Sequence, residues 1–367
     1  MSGEKICLIF DEGKNVEIVW KKSAGYTAAQ LCRAGLTEEE IGFVSGGLDG
    51  KTMRAELAGC NGRVAVVSGC YPLADMCCVA DALKSGGAER ERARVFQTEK
   101  GEYAAVVADA DSIPEVVNGK LPAEVITVTW EKIADAKTRL AAAEEIKEKT
   151  IERLMEEGVI FYSMDGVLIC PDAEIGDGTE ILPGTIIKSK VKIGRGCVIG
   201  PNTLIEESCI GDGCVINASQ VYASVVKNGV RIGPFSHIRP HCTVEEGVKI
   251  GDFVEVKNSH LGEKTSVAHL TYIGDSDVGE RVNFGCGCVT VNYDGFRKSR
   301  TVVEDDVFVG CNTNLVAPVR VEEGSFIAAG STITDDVPSG ALAIARARQT
   351  VKEGWQKKRM EEKKSEH

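Results

Sequence analysis

Isoleucine stands at positions 175, 181, 187, 193, 199 and 205, an unbroken step of six that few folds satisfy. A helix does not, because at 3.6 residues per turn a step of six carries the aliphatic position around the axis instead of holding it on one face. A short strand and a corner, repeated every six residues, do. Each aliphatic side chain then points into the core of a solenoid, and the Gly, Asn or Asp after it tolerates the backbone of a tight turn. The pattern resumes at Ile210-Gly211, Ile232-Gly233, Ile250-Gly251, Leu261-Gly262, Val278-Gly279, Phe284-Gly285, Val309-Gly310 and Ile327-Ala328, and ends near Ile333. Stacked neighbours bury what no single unit buries alone. The 40 glycines among 367 residues, above the ordinary share of about 7%, belong largely to these turns. Thr179, Cys197, Cys214, Cys242 and Ala329 recur at fixed offsets and read as small packing residues.

The length implies two domains. Apolar residues make up 43% and charged residues 27%, no apolar run suits a membrane helix, and the start lacks a signal-peptide core, so a cytoplasmic protein without a membrane partner is expected. Fourteen scattered cysteines and no CxxC pair fit reduced thiols better than disulfides or zinc. A net charge of -12 disfavours nucleic acid as a partner.

Residues 1–130 read as a small α/β domain, with strand-like runs at Ile6 to Phe10, Arg63 to Ser68, Tyr103 to Ala108 and Val125 to Thr129. Helical stretches, Thr27 to Ala34 and Leu73 to Lys84, lie between them. Residues 131–158 form an amphipathic connecting helix ended by Gly158. The solenoid occupies 159–345, and 346–367 is a tail whose Lys357-Lys358-Arg359 reads as a solvated charge run. Ser45 to Thr52 is glycine-rich but fails the phosphate-loop spacing, and no clear strand precedes it, so it reads as a surface turn.

Between 231 and 300 the repeat carries polar residues that a scaffold does not need: Gly233-Pro-Phe-Ser-His-Ile-Arg239-Pro, Phe253-Val-Glu255-Val-Lys257, Ala268-His269-Leu-Thr-Tyr272, Val282-Asn283-Phe-Gly-Cys286 and Val291-Asn292-Tyr293-Asp294-Gly295. Each sits on or beside a repeat unit, so stacking collects them on one face. The repeat resembles the hexapeptide-repeat acyltransferases. The strings resemble the acetyltransferase half of the bifunctional N-acetylglucosamine-1-phosphate uridyltransferase/glucosamine-1-phosphate N-acetyltransferase family, over about residues 160 to 355. That resemblance implies a left-handed parallel β-helix, with about nine coils at three hexapeptides each.

It also implies acetyl-CoA-dependent N-acetylation of glucosamine-1-phosphate, a step toward UDP-N-acetylglucosamine, by a homotrimer with active sites between subunits. By motif, His269 matches the general base, and an imidazole suits the removal of an amine proton. Glu255 is the candidate to orient that imidazole. Arg239 and Lys257 match sugar-phosphate ligands, as two cations suit a phosphate dianion. Tyr272 and Asn283 match residues that bond the amino sugar. Asn292, Tyr293 and Lys298 belong to a loop that completes the acetyl-CoA site, and Cys286, Cys311, Ala329 and Arg346 match acetyl-CoA contacts. Cys286 replaces the usual alanine and Cys311 the usual serine, which puts the hydroxyl contact at Cys311 in question. No metal site is implied in this half.

The family's first half is a Rossmann-like uridyltransferase of well over 200 residues opening on an LxxGxGTRM loop, and no such string occurs here. Val67-Ser-Gly-Cys70-Tyr-Pro-Leu resembles its GDxPL segment, with Cys70 at the magnesium-binding aspartate; Val128-Thr129-Trp130-Glu131 resembles its GVNxR segment, with Thr129 at the asparagine ligand. Magnesium needs hard oxygen ligands, so a degenerate Rossmann-like domain without magnesium or uridyltransferase activity is expected. Three alternatives remain: acetylation of another amino sugar or sugar nucleotide, a non-catalytic scaffold, and a zinc-dependent hydratase built from His237, His241, His260 and His269.

Overall fold

The computed structural model describes residues 135–365 throughout, and before them 7–10, 17–18, 21–22, 27–28, 31–32, 34, 36–37, 40–44, 57, 60, 63–71, 76–84, 93–100, 103–118, 120–128 and 133. The segments 45–52, 72–73 and 129–131 discussed above lie outside the described residues. The chain divides into two compact units, residues 1–175 with 185–191 and residues 176–184 with 192–367.

In the first unit a six-stranded mixed sheet has the order Ile41–Val44, Cys7–Phe10, Arg63–Ser68, Tyr103–Asp109, Arg94–Thr98, Glu124–Val128. Cys7–Phe10 runs parallel to both neighbours, and Tyr103–Asp109 antiparallel to both of its own. Two of these strands, Ile41–Val44 and Arg94–Thr98, go beyond the sequence reading, and the first directly precedes Ser45. Arg63–Ser68 shows why the sheet holds. Its side chains alternate, so Val64 and Val66 enter one apolar cluster while Ala65 and Val67 enter the other. Helix Cys77–Lys84 covers the second cluster through Val79, Ala80 and Ala82.

The connecting helix spans Ala136–Glu156, starting later than expected because Asp135 caps it: its carboxylate accepts from the Thr138 amide, and the Thr138 hydroxyl returns the bond. Gly158, at φ +92°, ends it as the periodicity requires, with Val159 N donating to Leu154 O at 2.9 Å.

The repeat folds as a left-handed parallel β-helix of about ten coils. In the second unit its first face stacks Lys249–Asp252, Ser266–His269, Asn283–Phe284, Phe308–Val309 and Phe326–Ile327, with further strands on either side. The second face stacks Gln220–Tyr222, His237–Ile238, Glu255–Lys257, Tyr272–Gly274 and Val289–Val291; the third includes His260–Leu261, Ser276–Val278 and Thr301–Val303. Ile181, Ile199, Ile205, Ile216, Ile238 and Ile273 are fully buried, so the spaced aliphatic residues form the core. Cys197, Cys214 and Cys242 are buried beside them. The C-terminal helix Trp355–Ser365 is exposed, with Arg359 over the Trp355 ring at 5.4 Å.

Candidate functional site

Stacking converts the 17-to-18-residue spacing of the polar strings into columns. At the corner leading from the first face to the second, the register Ile250–Val267–Phe284–Val309–Ile327 continues two residues on, to Asp252, His269, Cys286, Cys311 and Ala329. Amides knit this corner from coil to coil: Leu270 N donates to Asp252 O at 3.0 Å, Asn312 N to Cys286 O at 2.8 Å and Gly330 N to Cys311 O at 2.8 Å. Arg346 lies beside the end of this line, with its side chain near Gly330. Cys286 is half-buried and Cys311 exposed.

His269 presents an exposed imidazole whose Nδ1 lies 2.6 Å from Asp252 Oδ1. That bond holds the Asp252 carboxyl below the usual carboxylate range. The expected partner was Glu255, and the structure corrects this. Glu255 accepts from Arg239 Nη1 at 2.8 Å, because its strand lies on the second face, past the corner, where the neighbouring coil offers a guanidinium. Asp252 precedes His269 by 17 residues, one coil, and the coil register is what pairs the two.

The second face carries a charged cluster. Glu255 holds the Arg239 pKa above its ordinary value. Lys257 Nζ stands 3.7 Å from the buried Asp275. Lys298 approaches Lys257 closely; the contact raises Lys257, with Asp275 adding to the rise, and lowers Lys298. Burial alone would raise the Asp275 carboxyl, but bonds from Asn258 at 2.6 Å and from Asn292, together with Lys257, hold it below the usual range. Asn292 Nδ2 also reaches Tyr272 Oη at 3.4 Å. The Tyr272 ring folds back over Gly274, where any Cβ would collide with the hydroxyl. The site thus includes Asp275 and Asn258, to which the motif comparison assigned no role.

The loop from Asn292 is held stiffly. Tyr293 and Lys298 form an antiparallel bridge, Asp294 accepts from the Phe296 and Arg297 amides at 2.8 Å, and Arg300 grips Asp277 from its far end. Phe296 at its tip is 95% exposed. Asn283 stands apart from the cluster, on the first face between Ser266 and Phe308. Of the other histidines, His260 pairs with Glu245 at 3.3 Å and His237 packs edge-on to Tyr222, while His241 sits in a left-handed turn. Among the described residues no group of His, Cys, Asp or Glu is arranged to hold a metal ion, and no helix is long and apolar enough to cross a membrane. Cys70 is buried in the apolar core of the first unit.

The bacterial transferase hexapeptide family (six repeats) matches residues 172–207, 223–258 and 300–335. A protein of Thermoanaerobacter pseudethanolicus described as bifunctional protein GlmU is 52% identical over 264 residues, 71% of this chain and 57% of its own length. Its namesake in Caldanaerobacter subterraneus subsp. tengcongensis is 50% identical over 263 residues, again 71% and 57%. The chain therefore spans a little over half the length of the curated relatives it matches. Among solved structures, an Arabidopsis UDP-N-acetylglucosamine acyltransferase aligns with TM-score 0.38 and 19% identity over 56% of this chain and 80% of its own.

Proposed function

From a chain that belongs to the hexapeptide-repeat transferases and is a relative of the bifunctional GlmU proteins, we infer an acetyl-CoA-dependent N-acetyltransferase acting on glucosamine-1-phosphate. The observation that carries this reading is the His269–Asp252 pair on the corner beside a face bearing Arg239, Lys257 and Lys298. With Nδ1–H donating to Asp252, Nε2 keeps its lone pair and takes the proton from the sugar's amine as that nitrogen attacks the thioester carbonyl. The new N–C bond forms as the C–S bond breaks, and coenzyme A leaves as the thiol. Arg239 and Lys257 bind the sugar phosphate and Tyr272 the sugar.

The corner column Cys286, Cys311 and Ala329 keeps its side chains small where the acyl donor's arm runs, and Arg346 with the Asn292–Lys298 loop meets its phosphates. Direct transfer requires no nucleophilic cysteine. We place the protein in the cytoplasm as a homotrimer, each active site completed by a neighbouring subunit, with the exposed ridge of Phe235, Phe253 and Leu270 beside His269 as the surface that partner covers. The first unit carries no uridyltransferase activity in this reading, because a buried thiol at Cys70 is no ligand for magnesium. Acetyl-CoA and glucosamine-1-phosphate supplied to the purified protein release free thiol. If thiol appears only with another amino sugar, the acceptor is wrong; if with none, the transferase reading is wrong.

A further inference from the structure

The acceptor face continues past its two cations. Outward positions of the second face form two columns in successive coils: Gln220, His237, Glu255 and Tyr272 in one, and Tyr222, Arg239 and Lys257, by continuation of the same register, in the other. With the amine at the His269 corner and the phosphate at Lys257 and Arg239, the next position along the line is Tyr222. Coils are spaced about 4.8 Å apart, so Tyr222 lies about one coil beyond Arg239, within reach of whatever group a phosphate there carries.

The Tyr222 ring is fixed in place. Its Oη donates to Gln220 Oε1 at 3.0 Å, and the His237 ring meets it edge-on, with centroids 5.6 Å apart and planes at 72°. Tyr222 and His237 are half-exposed and Gln220 exposed. A held aromatic face beside an amide offers a planar base both a stacking surface and a hydrogen-bonding edge. Arg239 and Lys257 stand in successive coils of this face, and Glu206, one coil beyond Tyr222, ends the cationic stretch. A sugar-1-phosphate alone leaves Gln220, Tyr222 and His237 without a task.

We propose that Gln220, Tyr222 and His237 form a nucleoside subsite, so that this face binds a nucleoside diphosphate amino sugar in addition to the sugar phosphate. The proposal rests on Arg239 and Lys257 being the phosphate ligands. It is tested by calorimetric titration of the full chain with glucosamine-1-phosphate and with UDP-glucosamine, using wild type, Tyr222→Ala, Tyr222→Phe and Arg239→Ala. Loss of one base–aromatic stack predicts that Tyr222→Ala binds UDP-glucosamine about tenfold more weakly. Tyr222→Phe stays within about twofold, and both leave glucosamine-1-phosphate within about twofold. UDP-glucosamine binding indifferent to Tyr222→Ala overturns the proposal, as does an equal loss for both ligands or a wild type that binds only the sugar phosphate. Failure of the underlying reading shows separately, as an Arg239→Ala variant that binds glucosamine-1-phosphate and releases thiol like wild type.

Discussion

The two units use their side chains in opposite ways. In the mixed sheet of the first unit, alternation sends residues such as Val64 and Ala65 into apolar clusters on its two sides, and Cys70 and Tyr71 are buried in one of them. On the second face of the β-helix, strands such as His237–Ile238 and Glu255–Lys257 send one aliphatic residue into the core, and the positions beside it face outward in register. Such a solenoid devotes little sequence to its interior and presents whole columns to a ligand. Residues a coil apart, such as Asp252 and His269 or Arg239 and Glu255, become neighbours without any loop to position them.

The largest expected effect lies in the β-helix. His269→Ala lowers turnover by about 10²- to 10⁴-fold, the usual contribution of a general base, while circular dichroism and oligomer size stay unchanged. A variant that keeps its activity removes His269 from the chemistry. The counterpart in the first unit is Phe96→Ala, which empties a fully buried position. It costs about 3–5 kcal/mol of stability in denaturant melts of that unit. Acetyl transfer per folded molecule stays at the wild-type value, and a proportional loss of activity would tie the two regions together.

Legibility followed the same contrast. The solenoid and its inward positions follow from the step of six, because that spacing is itself the structure. The first unit's strands at Ile41–Val44 and Arg94–Thr98 carry a weak local signal: the first is four residues long and contains a glycine, the second is partly polar, and only long-range pairing fixes them. Within the site, motif comparison marked His269, Arg239 and Lys257. It assigned Glu255 to the imidazole, because spacing along the chain does not say on which side of a corner a carboxylate stands. Asp252 and Asp275 needed the coil register to be seen.

That correction yields a smaller effect. Asp252→Asn lowers kcat about tenfold or more with little change in the acceptor's KM, since it disturbs the imidazole and not the phosphate site. Glu255→Gln, which frees Arg239, moves the KM for the sugar phosphate and leaves kcat within about threefold. Steady-state kinetics with acceptor varied separates the two, and the reverse pattern restores Glu255 as the imidazole's partner.

The smallest effect is in pH dependence. Asp275 has its folded-state pKa depressed by Asn258, Asn292 and Lys257, so its contribution to stability is present above the ordinary aspartate value of about 3.9 and is lost as pH falls through the folded value. The wild type should melt above Asp275→Asn at neutral pH, and the gap should close below about pH 4. A gap that persists in acid shows that the carboxylate's charge is not what matters there.

The central claim is that catalysis resides in the β-helix and none in the first unit. Product analysis with acetyl-CoA, glucosamine-1-phosphate and UTP supplied together tests it most directly. The account predicts N-acetylglucosamine-1-phosphate and free coenzyme A thiol in equal amounts, with no pyrophosphate. Pyrophosphate release with UTP, or the absence of any acetylated sugar phosphate, would contradict it.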